Sequence, residues 1–141
     1  MSDDAAPARL LAQMSLRSDE EIVRLRQTVR DQAIALGFSL IEQTKFVTAA
    51  SEIARNTLQY GGGGEVRLEA LSSGVRVGLK LTFVDHGPGI ADVERALQDG
   101  FTSGNGLGLG LGGSRRLCDA FTIDSTPGMG TTVTITKWKV R

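Results

Sequence analysis

The stretch EVRLEALSSGVRVGLKLTFVDHGPGI, residues 65–90, is where the chain changes its hydrophobic period. VRLEAL and VRVGLKLTFV read as the two strands of an antiparallel hairpin around a turn at residues 72–74, the second strand ending in DHGPGI. Upstream the spacing is helical. Ser18 followed by Glu21 forms a capping box, and Ile22, Leu25, Val29, Ala33 and Leu36 recur until Gly37, which predicts a first helix of about 18 residues. Ser39 and Glu42 repeat the box, and Phe46, Ala49, Ala50, Ile53 and Ala54 continue an apolar stripe to Tyr60, where GGGG ends a second helix. Ahead of both, ARLLAQMSLR reads as a strand of poor alternation, and residues 1–7 read as disordered. Downstream, residues 91–100 have room for one helical turn or two, SRRLCDAF reads as a short helix, FTIDST as a strand, PGMG as a turn and TTVTITKW as a final strand. Helices first and strands later, joined by short turns, predict an α+β two-layer sandwich over one domain, residues 1–141.

Composition excludes several classes of function. With 141 residues the chain is long enough to bury a core without staples. Lys+Arg and Asp+Glu both number 16, so no net field draws duplex nucleic acid or an anionic membrane surface. A lone cysteine, Cys118, forbids an internal disulfide or a thiolate metal cluster, suits a reducing compartment and reads as a small core residue. The acidic start MSDDAA lacks the basic and apolar regions of a signal peptide, and no apolar stretch reaches the roughly 20 residues of a membrane span. A cytoplasmic protein is expected.

Three stretches carry chemistry. GNGLGLGLGG, residues 104–113, holds six glycines in ten, a composition that no ordinary helix or strand should tolerate. It is not a P-loop, because the chain has no Gly-Lys pair. A GxGxxG at Gly108, Gly110 and Gly113 lacks both the strand before it and the later acidic residue of a dinucleotide site, and the only histidine, His86, is followed by glycine rather than by the Arg-Asp of a eukaryotic-type kinase loop. Alternating glycines do let successive N–H groups converge on an anion, and the start of the SRRLCDAF helix would face the same point; Leu107, Leu109 and Leu111 read as anchors. A triphosphate fits. On the second helix Glu52 and Asn56 lie four residues apart, with Thr48 and Tyr60 one turn to either side. Alone they read as a solvated face, yet an amide oxygen suits octahedral Mg²⁺ and a glutamate one turn away can take a proton. Asp85 ends a buried strand; alone it reads as an Asp-x-Gly turn, but a buried carboxylate also selects an exocyclic amine such as that of adenine. His86 reads as an exposed turn residue.

Glu52, Asn56, Asp85, GPG and the glycine run, in that order, resemble the ATP-binding domain shared by gyrase-type topoisomerases, Hsp90-type chaperones, histidine kinases and MutL-type repair proteins, the GHKL superfamily. SEIARNTLQY is similar to its N box, FVDHGPGI to its first glycine box, GNGLGLGLGG to its second and STPGMGTTVTI to its closing strand motif, so the resemblance covers nearly the whole chain. More narrowly, ARNxxxY, DGFTSxxGLGLGL, RRLCDAF and a C-terminal KW are similar to the RsbT-type switch kinases and anti-sigma regulatory factor kinases. The resemblance implies a Bergerat ATP-binding fold, with a mixed and largely antiparallel sheet covered by helices. It implies ATP and Mg²⁺ as cofactors, Asp85 on the adenine amine with Thr131 assisting through a water, and Gly87 and Gly89 letting adenine sit against the turn. Gly104, Gly106, Gly108 and Gly110, with Leu107 among them, would hold the phosphates, Asn56 would ligate the metal, and Glu52 would be the general base. The implied activity is a protein serine/threonine kinase that phosphorylates STAS-domain stressosome proteins and, once released, activates a partner such as a PP2C-type phosphatase.

Three rivals share these residues. A water-using ATPase of the superfamily needs further domains for which this length leaves no room, and a histidine-kinase fragment needs an acceptor histidine where the only one lies in the nucleotide turn. The third is a docking module that binds a sigma factor or phosphatase with ATP as a weakly used ligand. A homodimer stays open, since the first helix and first strand are equally able to face solvent or a second copy.

Overall fold

A computed structural model describes residues 7–90, 92–97 and 110–140. Its elements run β1 (Ala8–Leu16), α1 (Asp19–Ala35), α2 (Leu40–Gln59), β2 (Gly64–Ser73), β3 (Arg76–Asp85), α3 (Val93–Ala96), α4 (Gly110–Arg116), β4 (Ala120–Thr126) and β5 (Gly130–Trp138). The strands form one sheet in the order β1-β2-β3-β5-β4, and all four pairings are antiparallel. The α+β two-layer arrangement expected from the sequence is therefore present, with the helices gathered on one face.

The β2–β3 hairpin keeps register from Gly64 opposite Asp85 to Ser73 opposite Arg76. Val66, Leu68, Leu79, Leu81 and Phe83, together with Val133 and Ile135 of β5, bury their side chains beneath Leu25 and Val29 of α1 and Phe46, Ala49, Ala50 and Ile53 of α2. Alternate positions such as Arg67, Lys80, Thr82 and Thr134 stay partly or fully exposed, as in an antiparallel sheet wetted on one side. The poor alternation of the first strand has a cause: a register shift between Leu10 and Ala12 marks a β-bulge. Ala12 packs against the core whereas Leu10 is exposed, so an even spacing does not keep them on one face.

Both predicted capping signals operate, in different ways. At α2 the box is complete: the Glu42 N–H donates to Ser39 Oγ at 3.2 Å and the Ser39 N–H to Glu42 Oε1 at 2.8 Å. At α1 the Glu21 N–H donates to Ser18 Oγ, but the Glu21 carboxylate reaches one residue further back, to the Arg17 N–H at 2.7 Å.

Two expectations need correction at the glycine run. Its last four residues, 110–113, are helical, so α4 begins four residues earlier than the SRRLCDAF reading placed it. Gly112 and Ser114 are buried in α4, which packs on α2, and their small side chains permit the close approach that offsets the helix-breaking cost of glycine, about 1 kcal/mol per residue. At the other end, residues 117–121 do not continue the helix. The Asp119 N–H donates to Thr136 O, the Asp119 carboxylate accepts the Trp138 N–H at 2.6 Å, and β4 starts at once beside β5. Sheet pairing overrides local helix propensity here. Between β3 and α4, α3 is a single turn capped by Asp92, which accepts the Arg95 N–H at 3.0 Å. Burial pushes the Cys118 thiol up to about 12, which suits a half-buried packing residue and not a nucleophile. Among the described residues no helix is long and apolar enough to cross a membrane.

Glu42 does more than cap. Its second carboxylate oxygen accepts the Val140 N–H at 2.6 Å, pinning the C-terminal segment to the start of α2. Burial would raise this carboxyl, but the Ser39 and Val140 N–H groups, the Ser39 hydroxyl and the nearby Lys137 charge hold it below the ordinary carboxylate range. A carboxyl with a depressed folded value contributes stability that is complete above its unfolded value, near 4.3, and that is lost as pH falls through the folded value. Glu42→Gln is expected to cost about 2 kcal/mol in urea unfolding at pH 7, and the gap between variant and wild type should narrow at pH 3. An equal gap at both pH values would contradict this account.

Candidate functional site

The site forms where β3 ends. Asp85 points to the helix side of the sheet and is only 9% exposed. Its Oδ1 accepts the Gly87 N–H at 2.9 Å and the Thr131 N–H at 3.3 Å, the latter from the residue paired with it on β5. Oδ2 has no hydrogen-bond partner among the described residues. One oxygen thus fixes the carboxylate and the other is left as an acceptor, the arrangement needed for a charge-assisted bond from an amine.

Main chain closes on Asp85 from two sides. Gly61, one residue past the C-cap of α2, lies so near that a Cβ there would come within 2.6 Å of Asp85 Oδ2, and a Cβ on Gly87 would come within 2.7 Å of Gly61 O. Across the sheet, Gly130 adopts φ +104°, and a Cβ there would strike the Asp85 carbonyl. The GPG turn docks on the β4–β5 turn: the Gly128 N–H donates to Pro88 O at 2.7 Å, and a Cβ on Gly89 would lie 2.5 Å from Thr126 O. Gly87 and Gly89 therefore lie at the turn beside Asp85, and Gly61 and Gly130 join them.

α2 delivers the other two predicted groups. The Asn56 carbonyl accepts N–H bonds from both Tyr60 and Gly61, so its residue is one hydrogen bond from the segment that covers Asp85. Its side-chain amide is half-buried and has no hydrogen-bond partner among the described residues, which leaves its oxygen available to a hard cation. Glu52, one turn earlier, is also half-buried, and its Oε1 pairs with Arg55 Nη1 at 2.9 Å. Thr131 is 8% exposed, and its hydroxyl lies 2.9 Å from Ser125 Oγ. Gly110 opens α4 with φ +70° against α2. Gly104, Gly106, Leu107 and Gly108 lie outside the described residues. His86 is exposed, as expected of a turn residue.

Sequence reasoning missed Gly61 and Ser125. GGGG was legible as a helix stop, but only the approach of the hairpin end shows which of its glycines touches Asp85. The serine of DSTPGMGT carried no signal beyond turn composition, although it lies inside the stretch identified as the closing strand motif.

Comparison with known proteins shows the family. Residues 41–141 match the family described as "Histidine kinase-, DNA gyrase B-, and HSP90-like ATPase". The chain is 40% identical over 123 residues to the serine/threonine-protein kinase RsbT of Bacillus subtilis, covering 87% of this chain and 92% of that protein. It is 33% identical over 130 residues to an anti-sigma F factor of Bacillus licheniformis, covering 87% and 86% of the two chains. It is 31% identical over 119 residues to an anti-sigma F factor of a Thermoanaerobacter species, covering 80% and 82%. A crystal structure of RsbU and RsbW domains from Mycobacterium tuberculosis superposes with a TM-score of 0.64 at 17% identity, over 96% of this chain and 33% of that longer one.

The packing of Gly130 on Asp85 is testable beside a neighbour. Gly128 also has positive φ, +81°, but open space where a Cβ would go. Gly128→Ala is expected to cost about 1 kcal/mol in thermal unfolding through backbone strain alone, and Gly130→Ala at least twice that. Equal losses would mean that the Asp85 backbone yields freely to the added methyl.

Proposed function

The chain belongs to the histidine kinase-, DNA gyrase B- and HSP90-like ATPase family, and on that footing we propose that it is an ATP- and Mg²⁺-dependent protein serine/threonine kinase of bacterial stress signalling. Its acceptors are STAS-domain proteins of a stressosome-type complex in the cytoplasm, and its released form engages an output protein such as a PP2C-type phosphatase. The observation that carries the reading is the Asp85 carboxylate, with one oxygen satisfied by two backbone N–H groups and the other unpartnered beneath Gly61. Support for a kinase over a plain ATPase comes from the 40% identity, over nearly the full length of both chains, to a relative named as a serine/threonine-protein kinase.

Each residue then has a task. Asp85 Oδ2 accepts from the exocyclic amine of adenine, Thr131 assists through a water, and Gly87 and Gly89 let the base lie against the GPG turn. The N–H groups of Gly104, Gly106, Gly108 and Gly110 wrap the phosphates, with Leu107 anchoring the segment between them. The Asn56 oxygen holds Mg²⁺, which when bound offsets triphosphate charge. Glu52, oriented by Arg55, takes the proton of the acceptor hydroxyl as the new oxygen–phosphorus bond forms and the bond from the γ-phosphorus to the ADP oxygen breaks. Only residues 91–103 separate Ile90 from Gly104, a short connection that leaves the γ-phosphate accessible to a docking protein.

A second reading has its own support in the relatives named anti-sigma F factor, at 31% and 33% identity: a docking module that binds a sigma factor and uses ATP little. Titration with a fluorescent ATP analogue, with and without Mg²⁺, followed by incubation with labelled ATP and a STAS-domain protein, separates the two. Label on the partner supports the kinase; nucleotide binding without transfer, together with capture of a sigma factor, supports the docking module. Asn56→Ala and Asp85→Ala are each expected to weaken nucleotide binding by about 100-fold or more, whereas Glu52→Gln should bind within a few-fold of wild type and lose about 100-fold or more in transfer. Tight ATP binding by Asp85→Ala would sink the site assignment.

A further inference from the structure

Behind Asp85, on the face of the sheet that carries no helix, lies a cleft of about 380 Å³ that the candidate site does not use. The alternation of β3 separates the two: Phe83 and Asp85 turn toward the helices, whereas Val84 between them lines the cleft. The rim is formed by Gln13 and Arg17 where β1 ends, Glu65 where β2 begins, His86 just after β3, and the glycine segment 61–64. That segment is the shared wall. Gly61 lies against the Asp85 carboxylate, and a Cβ on Gly63 would come within 3.1 Å of Leu16 O and 3.5 Å of Arg17 Cγ. Gly62 between them adopts φ +75° and has open space where a Cβ would go.

This cleft offers donors in excess of acceptors. Among the described residues the Arg17 guanidinium and the His86 ring, both exposed, have no hydrogen-bond or ion-pair partner. The Gly62 N–H makes no backbone bond either, whereas those of Gly61 and Gly63 are taken by Asn56 O and Thr57 O. The Arg17 backbone is held by its N–H bond to Glu21 Oε1 at 2.7 Å, which fixes where the guanidinium starts from. Glu65 is the carboxylate among the lining groups, and it already accepts the Gln13 amide at 3.5 Å. Three open donors, one of them a permanent positive charge, suit the three terminal oxygens of a phosphomonoester better than the two oxygens of a carboxylate. We propose that the cleft is a second anion site, which binds a phosphomonoester group on the far side of the glycine segment from Asp85. The inference does not depend on what Asp85 binds. On the proposed kinase reading, however, a phosphorylated serine or threonine has the chemistry of this chain's own product.

Titration of the full chain with N-acetyl-O-phosphoserine amide and with inorganic phosphate, at saturating ADP and Mg²⁺ and read through backbone amide NMR shifts, tests it. Both probes should shift Gly62, Arg17 and His86 saturably. Tighter binding of the phosphoserine amide marks a protein-borne group as the source, and equal binding marks free phosphate. Arg17→Gln should weaken the phosphoserine amide by about tenfold, the scale of one charged hydrogen bond, and Arg17→Lys should keep most of the affinity. Glu65→Gln should strengthen binding several-fold, because it removes the negative charge at the rim. Absence of a saturable shift, or affinities that neither Arg17→Gln nor Glu65→Gln changes, would overturn the proposal. So would displacement of the probe by ADP, which would put the phosphate in the nucleotide site instead. Should Arg17→Gln fail to fold, Glu65→Gln decides: an unchanged or weakened affinity in that variant overturns the proposal equally. Failure of the nucleotide assignment looks different, as tight ATP binding by Asp85→Ala with phosphoserine binding intact.

Discussion

A carboxylate nine-tenths buried at the end of a central strand is tolerated only if its charge is met by donors, and the rest of this fold is arranged around meeting that demand at Asp85. The sheet order makes this possible. β3 lies between β2 and β5, so the end of β3 has Gly64 on one side and Thr131 on the other, and the Thr131 N–H becomes one donor. The turn that follows supplies the second through Gly87. Both serve a single oxygen. The remaining oxygen lies against the Gly61 main chain, where a side chain would collide with it.

The helical layer is fixed relative to that carboxylate at both of its ends. At its start, α2 is tied to the C-terminal segment by the buried Glu42 carboxylate, which accepts N–H groups from Ser39 and Val140. At its finish, the Asn56 carbonyl holds the N–H of Gly61, the residue in contact with Asp85. Between these ends Phe46, Ala49, Ala50 and Ile53 lie flat on the sheet, and α4 packs alongside with Gly112 and Ser114 buried. Helix position is thereby coupled to site geometry: a shift of α2 along the sheet moves Asn56, Glu52 and Gly61 together.

Relatives of this architecture divide by name between a serine/threonine kinase and anti-sigma factors, so the fold does not choose among outputs. On the proposed reading, the choice lies in the surfaces offered to partners and in whether Glu52 meets a hydroxyl. The Arg55 guanidinium that pairs with Glu52 is itself substantially exposed, whereas the Glu52 side chain is largely buried.

Much of this was legible in the chain alone. The switch from helical to alternating period at Glu65 and the capping residues Ser39 and Glu42 sufficed for the α+β layers, and the order of Asn56, Asp85 and the glycine run for naming the candidate residues, because each is a local pattern with a local physical cause. The first strand was faint because a bulge at Leu11 reverses its faces, a defect visible only once β2 is paired beside it. The end of α4 was misplaced because β5 captures Asp119 through Thr136 and Trp138, a pairing across 17 or more positions that no window of propensity contains. Gly61 and Ser125 belong to the same class. Their importance comes from atoms brought to them by the sheet register and the return of the chain from α2, and only tertiary structure decides which glycine of four touches a carboxylate and which serine of a turn faces a threonine.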